Sequence, residues 1–309
     1  MILHKSVLLK ESIDSLNIKD NGIYVDCTLG YAGHSSEILK RIPNGHLYAF
    51  DQDEYARNYS RDKLSLISDN FTIIASNFAN IKEELVKEGI EKVDGILFDL
   101  GVSSVQLDYD DRGFSFHKDA KLDMRMDTSS DFSAYDVVNS YSYNDLVRIF
   151  RDYGEEKYAS SIAKKIIEYR NNKSIETTLE LVDIIKSGMP VKAMRDSHPA
   201  RRVFQAIRIE VNKELEVLEI ALKDSLDILN VGGRIAVITF HSLEDKIVKK
   251  IFKEYSEVDS KIAKLPYIPE EYLPKYQIIE KGIVPSKEEL EENNRSRSSR
   301  LRVIEKIKD

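Results

Sequence analysis

Short apolar runs alternate with helix-spaced segments over the first hundred residues, and each run ends in a polar or small residue. Residues 22–26, 46–51, 70–75 and 94–100 have strand length, and 35–41, 54–66 and 81–88 carry helical spacing between them. Such alternation predicts a mostly parallel sheet covered by helices, the first half of a doubly wound α/β unit. From about residue 108 to 199 no strong strand is legible. Residues 143–153, 158–171 and 178–187 read there as helices. The loop-like stretch 112–127 carries Phe114, Phe116, Met124 and Met126, which need burial.

Sheet patterning then resumes. Phe204, Ile207, Val211, Leu215, Leu218, Leu222, Leu226 and Leu229 recur at helical spacing, predicting one long helix that ends before Gly232-Gly233. Residues 234–240 form a strand-like run, 243–255 a helix, and 276–281 and 301–307 two closing strands. The expected organisation is one α/β domain built from residues 1–108 and 200–309, interrupted by a helical subdomain at 109–199. No internal repeat is visible.

At 309 residues the chain can hold two domains, and its 42% apolar and 32% charged content is that of a globular enzyme. Its apolar runs are strand-length and residues 1–5 open no secretory signal, so a cytoplasmic protein without a membrane partner is expected. The single cysteine, Cys27, excludes an internal disulfide and a cysteine zinc site. No metal site is expected, although Asp108, Asp110 and Asp111 could draw Mg²⁺ through RNA phosphates.

With a net charge of -7, any nucleic-acid partner must meet locally clustered cations. Two clusters exist. One contains Lys192, Arg195, Arg201, Arg202 and Arg208 with His198 among them, and the other contains Arg295, Arg297, Arg300 and Arg302. Taken alone, either is an ordinary solvated face.

The chemistry concentrates in Asp26-Cys27-Thr28-Leu29-Gly30-Tyr31-Ala32-Gly33-His34, directly after the first apolar run. A strand that stops at an acid and turns through glycines offers backbone N–H groups to a nucleotide-like ligand at a helix N-terminus. The second run ends at Asp51, about twenty residues on, where a ribose-binding carboxylate belongs. The loop lacks the full G-x-G-x-x-G signature, which disfavours a dinucleotide and a nicotinamide dehydrogenase. Tyr31 better suits a cofactor without phosphate, such as S-adenosylmethionine.

Several further segments share one order. They are 4–9 (His-Lys-Ser-Val-Leu-Leu), 26–34, 94–104 (Asp-Gly-Ile-Leu-Phe-Asp-Leu-Gly-Val-Ser-Ser), 112–116 (Arg-Gly-Phe-Ser-Phe) and 122–127 (Leu-Asp-Met-Arg-Met-Asp). His198-Pro199-Ala200, 204–208, 240–245 and the Arg-Ser-Arg-Ser tail at 295–298 follow. Together they resemble the RsmH (MraW) family of S-adenosylmethionine-dependent methyltransferases, which modify N4 of a cytosine in the decoding region of small-subunit ribosomal RNA. Where that family carries more glycine, this chain has Tyr31 and Ala32. Val105 and Asn294 replace two common prolines. Ala32 would carry strain of about 1 kcal/mol if its backbone needs positive φ.

The resemblance implies a Rossmann-like class I S-adenosylmethionine-dependent methyltransferase sheet with an inserted all-helical subdomain. It implies cofactor contacts at Ala32, Gly33, His34, Asp51, Phe78, Asp99 and Gln106. Asp99 is the candidate catalytic residue, and His198, Arg202 and His241 are candidate substrate contacts. The implied partner is 16S rRNA, within the small ribosomal subunit, and a homodimer stays open.

The cytosine amine has its lone pair delocalised into the ring, so an acceptor must hold its N–H and aim the lone pair at the methyl donor; proximity then supplies much of the rate. Asp99, at a strand end beside the loop, is placed for that task or for cofactor binding alone. Phe114, Phe116 and Phe240 are candidates to stack on a flipped-out base, or plain core. Likewise Phe78 reads as core filler, His34 as a cap and His241 as scaffold when each is taken singly. Residues alone leave open a methyltransferase for another nucleic-acid amino group, one for a small molecule, and a non-catalytic docking module.

Overall fold

The computed structural model describes residues 5–101, 112–194 and 198–309. These fall into two compact units, one of the described residues 5–101 and 215–309, the other of 112–194 and 198–214.

The first unit is a seven-stranded sheet: β1 (Ile23–Asp26), β2 (His46–Phe50), β3 (Phe71–Ile74), β4 (Val93–Asp99), β5 (Leu229–Thr239), β6 (Tyr276–Ile283) and β7 (Arg300–Lys306). Their order is β3-β2-β1-β4-β5-β7-β6. β1 to β5 run parallel, and β7 lies antiparallel between β5 and β6. This is the expected Rossmann-like, doubly wound α/β sheet, with one antiparallel strand set in near its edge.

Period-two alternation builds a core on each face. Val25, Tyr48, Phe50, Ile96, Phe98, Ile235 and Val237 pack on one side with helix α10 (Glu214–Asp227) and helix α11 (Ser242–Ser256). Tyr24, Leu47, Ala49, Leu97, Ala236 and Ile238 pack on the other, with α1 (Leu9–Ser15) and α2 (Gly33–Arg41). Helices α3 (Glu54–Ser65), α4 (Ile81–Lys87) and α12 (Lys287–Glu292) complete the unit.

Chain order reverses between β1 and β4, and the crevice beyond the carboxyl ends of such neighbours is where open α/β sheets bind ligands. Asp26 pairs across to Leu97 on β4, and Asp99 pairs with Ile238 on β5. The two acids therefore end adjacent strands at that switch point.

The second unit packs α5 (Ala134–Ser140), α6 (Tyr143–Asp152), α7 (Ala159–Arg170), α8 (Thr178–Ser187) and α9 (Arg201–Asn212) around one core. The 112–127 stretch closes over it. Phe114, Leu122 and Met124 are buried, and Leu122 N–H donates to the Glu176 carbonyl at 3.0 Å.

The single long helix expected over Phe204–Leu229 is two helices. Asn212 ends α9, Lys213 turns left-handed at φ 50°, and α10 starts at Glu214. Asn212 fixes the break by donating to the Met124 carbonyl at 2.8 Å and accepting from Met126 N–H at 2.7 Å. An apolar repeat carries across a one-residue break unchanged, so spacing could not reveal it. Leu229 opens β5 rather than closing a helix. The unit boundary consequently falls after α9, not before it at the expected 199/200 border. No helix among the described residues is long and apolar enough to cross a membrane.

Candidate active site at the strand ends

β1 ends at Asp26, whose side chain is 1% exposed. It organises the loop that follows: Oδ1 accepts from Thr28 N–H at 3.0 Å, and Oδ2 accepts from the Ser35 hydroxyl at 2.6 Å. Ala32 takes the left-handed conformation at φ 54°, the strained geometry that the extra family glycine would relieve, and no side chain caps the helix it opens. At Gly33 a Cβ would lie 1.8 Å from Ser6 Oγ, so only glycine lets the N-terminal segment close on this turn.

Asp51 stands just past β2. Its Oδ2 accepts from Gly30 N–H and its Oδ1 from Asp53 N–H, both at 2.9 Å. Burial pushes its carboxyl up to about 6, against the pull of those two donors.

Asp99 ends β4. Its N–H donates to the Thr28 hydroxyl at 2.7 Å, which ties the β4 end to the loop. Its Oδ2 lies 3.6 Å from His34 Nδ1. Its Oδ1 is buried and has no hydrogen-bond partner among the described residues. Burial first, then the charges of Asp26, Glu244 and Glu289, hold the Asp99 carboxyl well above the ordinary range.

His34 is 4% exposed, and its Nε2 sits 3.1 Å from the Val7 carbonyl. Phe78, in a short turn after β3, is half-buried and meets Phe98 edge to face at 5.6 Å, one residue before Asp99. Asp26 and Asp99 both bond Thr28, Asp51 bonds Gly30 of the same loop, and His34, which follows Ala32 and Gly33, faces Asp99. Gln106 lies outside the described residues, as do Val105, Asp108, Asp110, Asp111 and Arg195.

The model of the MraW methylase family matches residues 1–307. The chain belongs to the MraW methylase family. A ribosomal RNA small subunit methyltransferase H of Exiguobacterium sibiricum is 54% identical over 311 residues and covers 100% of both chains. Among solved structures, an rRNA methylase from Streptococcus thermophilus aligns with 97% of this chain and 94% of its own, at TM-score 0.43 and 13% identity. A Streptococcus mutans protein solved in complex with SAH aligns with 98% and 99%, at TM-score 0.43 and 15% identity.

Other candidate residues of this MraW-family chain take different settings. His241 is the N-cap of α11, where it forms a capping box with Glu244. Its Nε2 lies 3.1 Å from a Glu244 carboxylate oxygen. Phe240 faces Gly101, whose φ is 101° and whose absent Cβ would lie 3.4 Å from the ring.

In the helical unit, His198 stacks on Phe116 at 4.4 Å beside His117. Burial, then His117 and Lys186, lower its pKa. Arg202 is exposed and donates to the Glu155 carbonyl at 3.0 Å. Two members of the basic clusters are structural. Arg208 forms a two-pronged pair with Glu214 at 2.8 and 2.9 Å, and buried Arg302 pairs with Asp245 at 2.7 Å.

Thr28, Ser35 and Ser6 were not singled out by sequence reasoning. An acid followed two residues later by threonine is an Asx-turn signal that could have flagged Thr28.

Proposed function

We propose that this protein transfers a methyl group from S-adenosylmethionine to N4 of a cytosine in the decoding (P-site) region of 16S rRNA, presented within the small ribosomal subunit. The observation that carries the reading is the buried Asp99 Oδ1, an acceptor without a partner among the described residues, at the switch point of the sheet. Full-length similarity to a ribosomal RNA small subunit methyltransferase supports the substrate class.

The residues fit the cofactor. Asp51 is held by two backbone donors with lone pairs left for a ribose diol, Phe78 offers a half-buried ring, and the α2 N-terminus with left-handed Ala32 leaves backbone N–H groups for a carboxylate. Bound S-adenosylmethionine supplies an electrophilic methyl group on a positively charged sulfur. Asp26 and Asp99 place negative or dipolar oxygen near that charge, and Asp99 Oδ1 accepts an N–H of the amine so that its lone pair points in line. Sheet strands fix both acids, so this alignment requires little reorganisation.

RNA contacts fall to the helical unit. Arg201 and Arg202 open α9 as exposed cations suited to phosphates, and the Phe116 and His198 rings offer a stacking surface. Replacing Arg201 and Arg202 with alanine should weaken RNA binding and flatten its salt dependence while leaving cofactor affinity intact.

Tritiated-methyl transfer tests the whole reading. Small subunits from cells lacking the modification, free DNA and cytidine are offered in parallel, and nucleosides of the labelled product are resolved. Label appearing as N4-methylcytidine in the subunits alone supports the reading. Label in DNA or cytidine only, or at another nucleoside, overturns it.

A further inference from the structure

The partner of Asp99 explains how its two oxygens divide their work. A carbonyl oxygen only accepts hydrogen bonds, so the Val7 carbonyl 3.1 Å from His34 Nε2 requires the proton on that nitrogen. In the neutral ring the other nitrogen, Nδ1, carries the lone pair, and it faces Asp99 Oδ2 at 3.6 Å. His34 opens α2 two residues past left-handed Ala32, with its side chain only 5% exposed. Val7 itself is held: Leu8 N–H donates to Glu289 Oε1 at 2.8 Å, Asn293 Nδ2 donates to the Lys5 carbonyl at 3.0 Å, and Lys5 pairs with Glu292.

We infer that His34 is a positioning residue for proton transfer, which keeps the Asp99 proton on Oδ2 and thereby leaves Oδ1 as the acceptor for the substrate amine. This rests on the reading of the site as an amine methyltransferase. The proton balance closes within the pair. As the methyl joins nitrogen, the amine gives one N–H proton to Oδ1, Oδ2 passes its own proton to Nδ1, and the carboxyl ends neutral as it began. The resulting imidazolium stays hydrogen-bonded to the Val7 carbonyl, and as product leaves it returns the Nδ1 proton to Oδ2 while Oδ1 gives the amine's proton to water, which restores the starting pair.

Burial raises the Asp99 carboxyl and so favours its neutral form, the form from which this step begins. The other charged groups that bear on Asp99 are Asp26 at the end of β1, Glu244 in the first turn of α11 and Glu289 on α12; Lys5 and Glu11 act in turn on Glu289. All three neighbours of Asp99 are acids, so they favour retaining a proton at this site and would stabilise an imidazolium.

Two measurements on the full chain test the inference. In the ligand-free protein, long-range ¹⁵N–¹H spectra resolve the rings of the six histidines, with His34 identified by its loss in His34→Gln. The expected His34 ring is protonated at Nε2, and Asp99→Asn shifts its Nδ1 signal while leaving Nε2 in place. A ring protonated at Nδ1 alone, or an Nδ1 signal indifferent to Asp99→Asn, overturns the inference.

In methyl transfer, His34→Gln keeps a donor for the Val7 carbonyl but no acceptor for Oδ2. Its kcat should fall about 10-fold to 100-fold with KM for the subunit unchanged, and the kcat–pH profile should lose one limb. The same change made in an Asp99→Asn background should cause no further loss. A full additional loss there, or an unaltered pH profile, contradicts a role through Asp99. Should His34→Gln fail to fold by circular dichroism, His34→Asn replaces it. If wild-type protein transfers no methyl to any acceptor, the functional reading fails while the ¹⁵N spectra still judge the His34–Asp99 pair.

Discussion

Asp123 and Glu210 in the helical unit sit against cations, whereas the acids at the strand ends of the sheet unit sit against backbone N–H groups or keep an oxygen open. In the helical unit, Asp123 receives two hydrogen bonds from the Arg125 guanidinium, at 2.7 and 2.9 Å, and a third from the Arg125 N–H at 3.0 Å. Burial pushes its carboxyl up, yet Arg125 more than offsets this and holds it below its ordinary value. Glu210 accepts from Tyr141 at 2.6 Å and from Arg148 at 3.1 Å. In the sheet unit Asp51 and Asp99 are both raised, and neither carboxylate is hydrogen-bonded to a cationic side chain among the described residues.

The contrast separates two uses of a semi-buried charge. A paired acid stabilises the unit that contains it. An acid raised by burial and left without a counter-ion destabilises the free protein in its charged form, and such groups gather where ligands supply the missing partner.

The largest effect should come from breaking the open acid. Asp99→Asn keeps the shape but offers an amide where a proton acceptor is needed, so kcat should fall about 10²-fold to 10³-fold in single-turnover methyl transfer. The same variant should melt no lower than wild type at pH 7, because it removes a buried ionisable group rather than a salt bridge. Asp123→Asn should behave in the opposite way. It should lower stability by about 1–2 kcal/mol in urea unfolding and leave S-adenosylmethionine affinity unchanged.

Acidity sharpens the same comparison. The Asp51 value of about 6 is raised over the unfolded carboxyl, so its proton favours the folded free protein; that contribution is full below about pH 4 and is lost as pH rises through about 6. A ribose diol donates to the ionised form. Calorimetric affinity for S-adenosylmethionine should therefore weaken about tenfold per pH unit below about 6, and Asp51→Asn should remove this dependence. The smallest effect should be at Ala32. Replacing it with glycine relieves the φ 54° strain and should raise stability by up to about 1 kcal/mol, read as a small rise in Tm.

Much of the sheet unit was legible because its strands are apolar runs that stop at chemistry-bearing residues. Asp26, Asp51 and Asp99 each stand at or just beyond such a stop, and all three bond the loop between β1 and α2. The α9–α10 break was not legible, since the apolar face continues through Lys213 and the cause is a long-range bond from Asn212. Helix α5 was missed too, although its Ser133 and Asp136 form a capping box that a local scan could have found. The tie from His34 to the Val7 carbonyl spans 27 residues, and the clasp on that segment comes from Glu289 and Asn293 near the other end of the chain. No local spacing rule encodes such closures.

The most direct measurement is a pH titration of the aspartate carboxyl carbons by ¹³C NMR, with Asp99 assigned by its loss in Asp99→Asn. The account requires Asp99 to titrate well above the ordinary carboxyl range in the free protein, far from Asp123, and its signal to move when cytidine binds with S-adenosylhomocysteine. An Asp99 that titrates alongside the paired acids of the helical unit and ignores cytidine would contradict it.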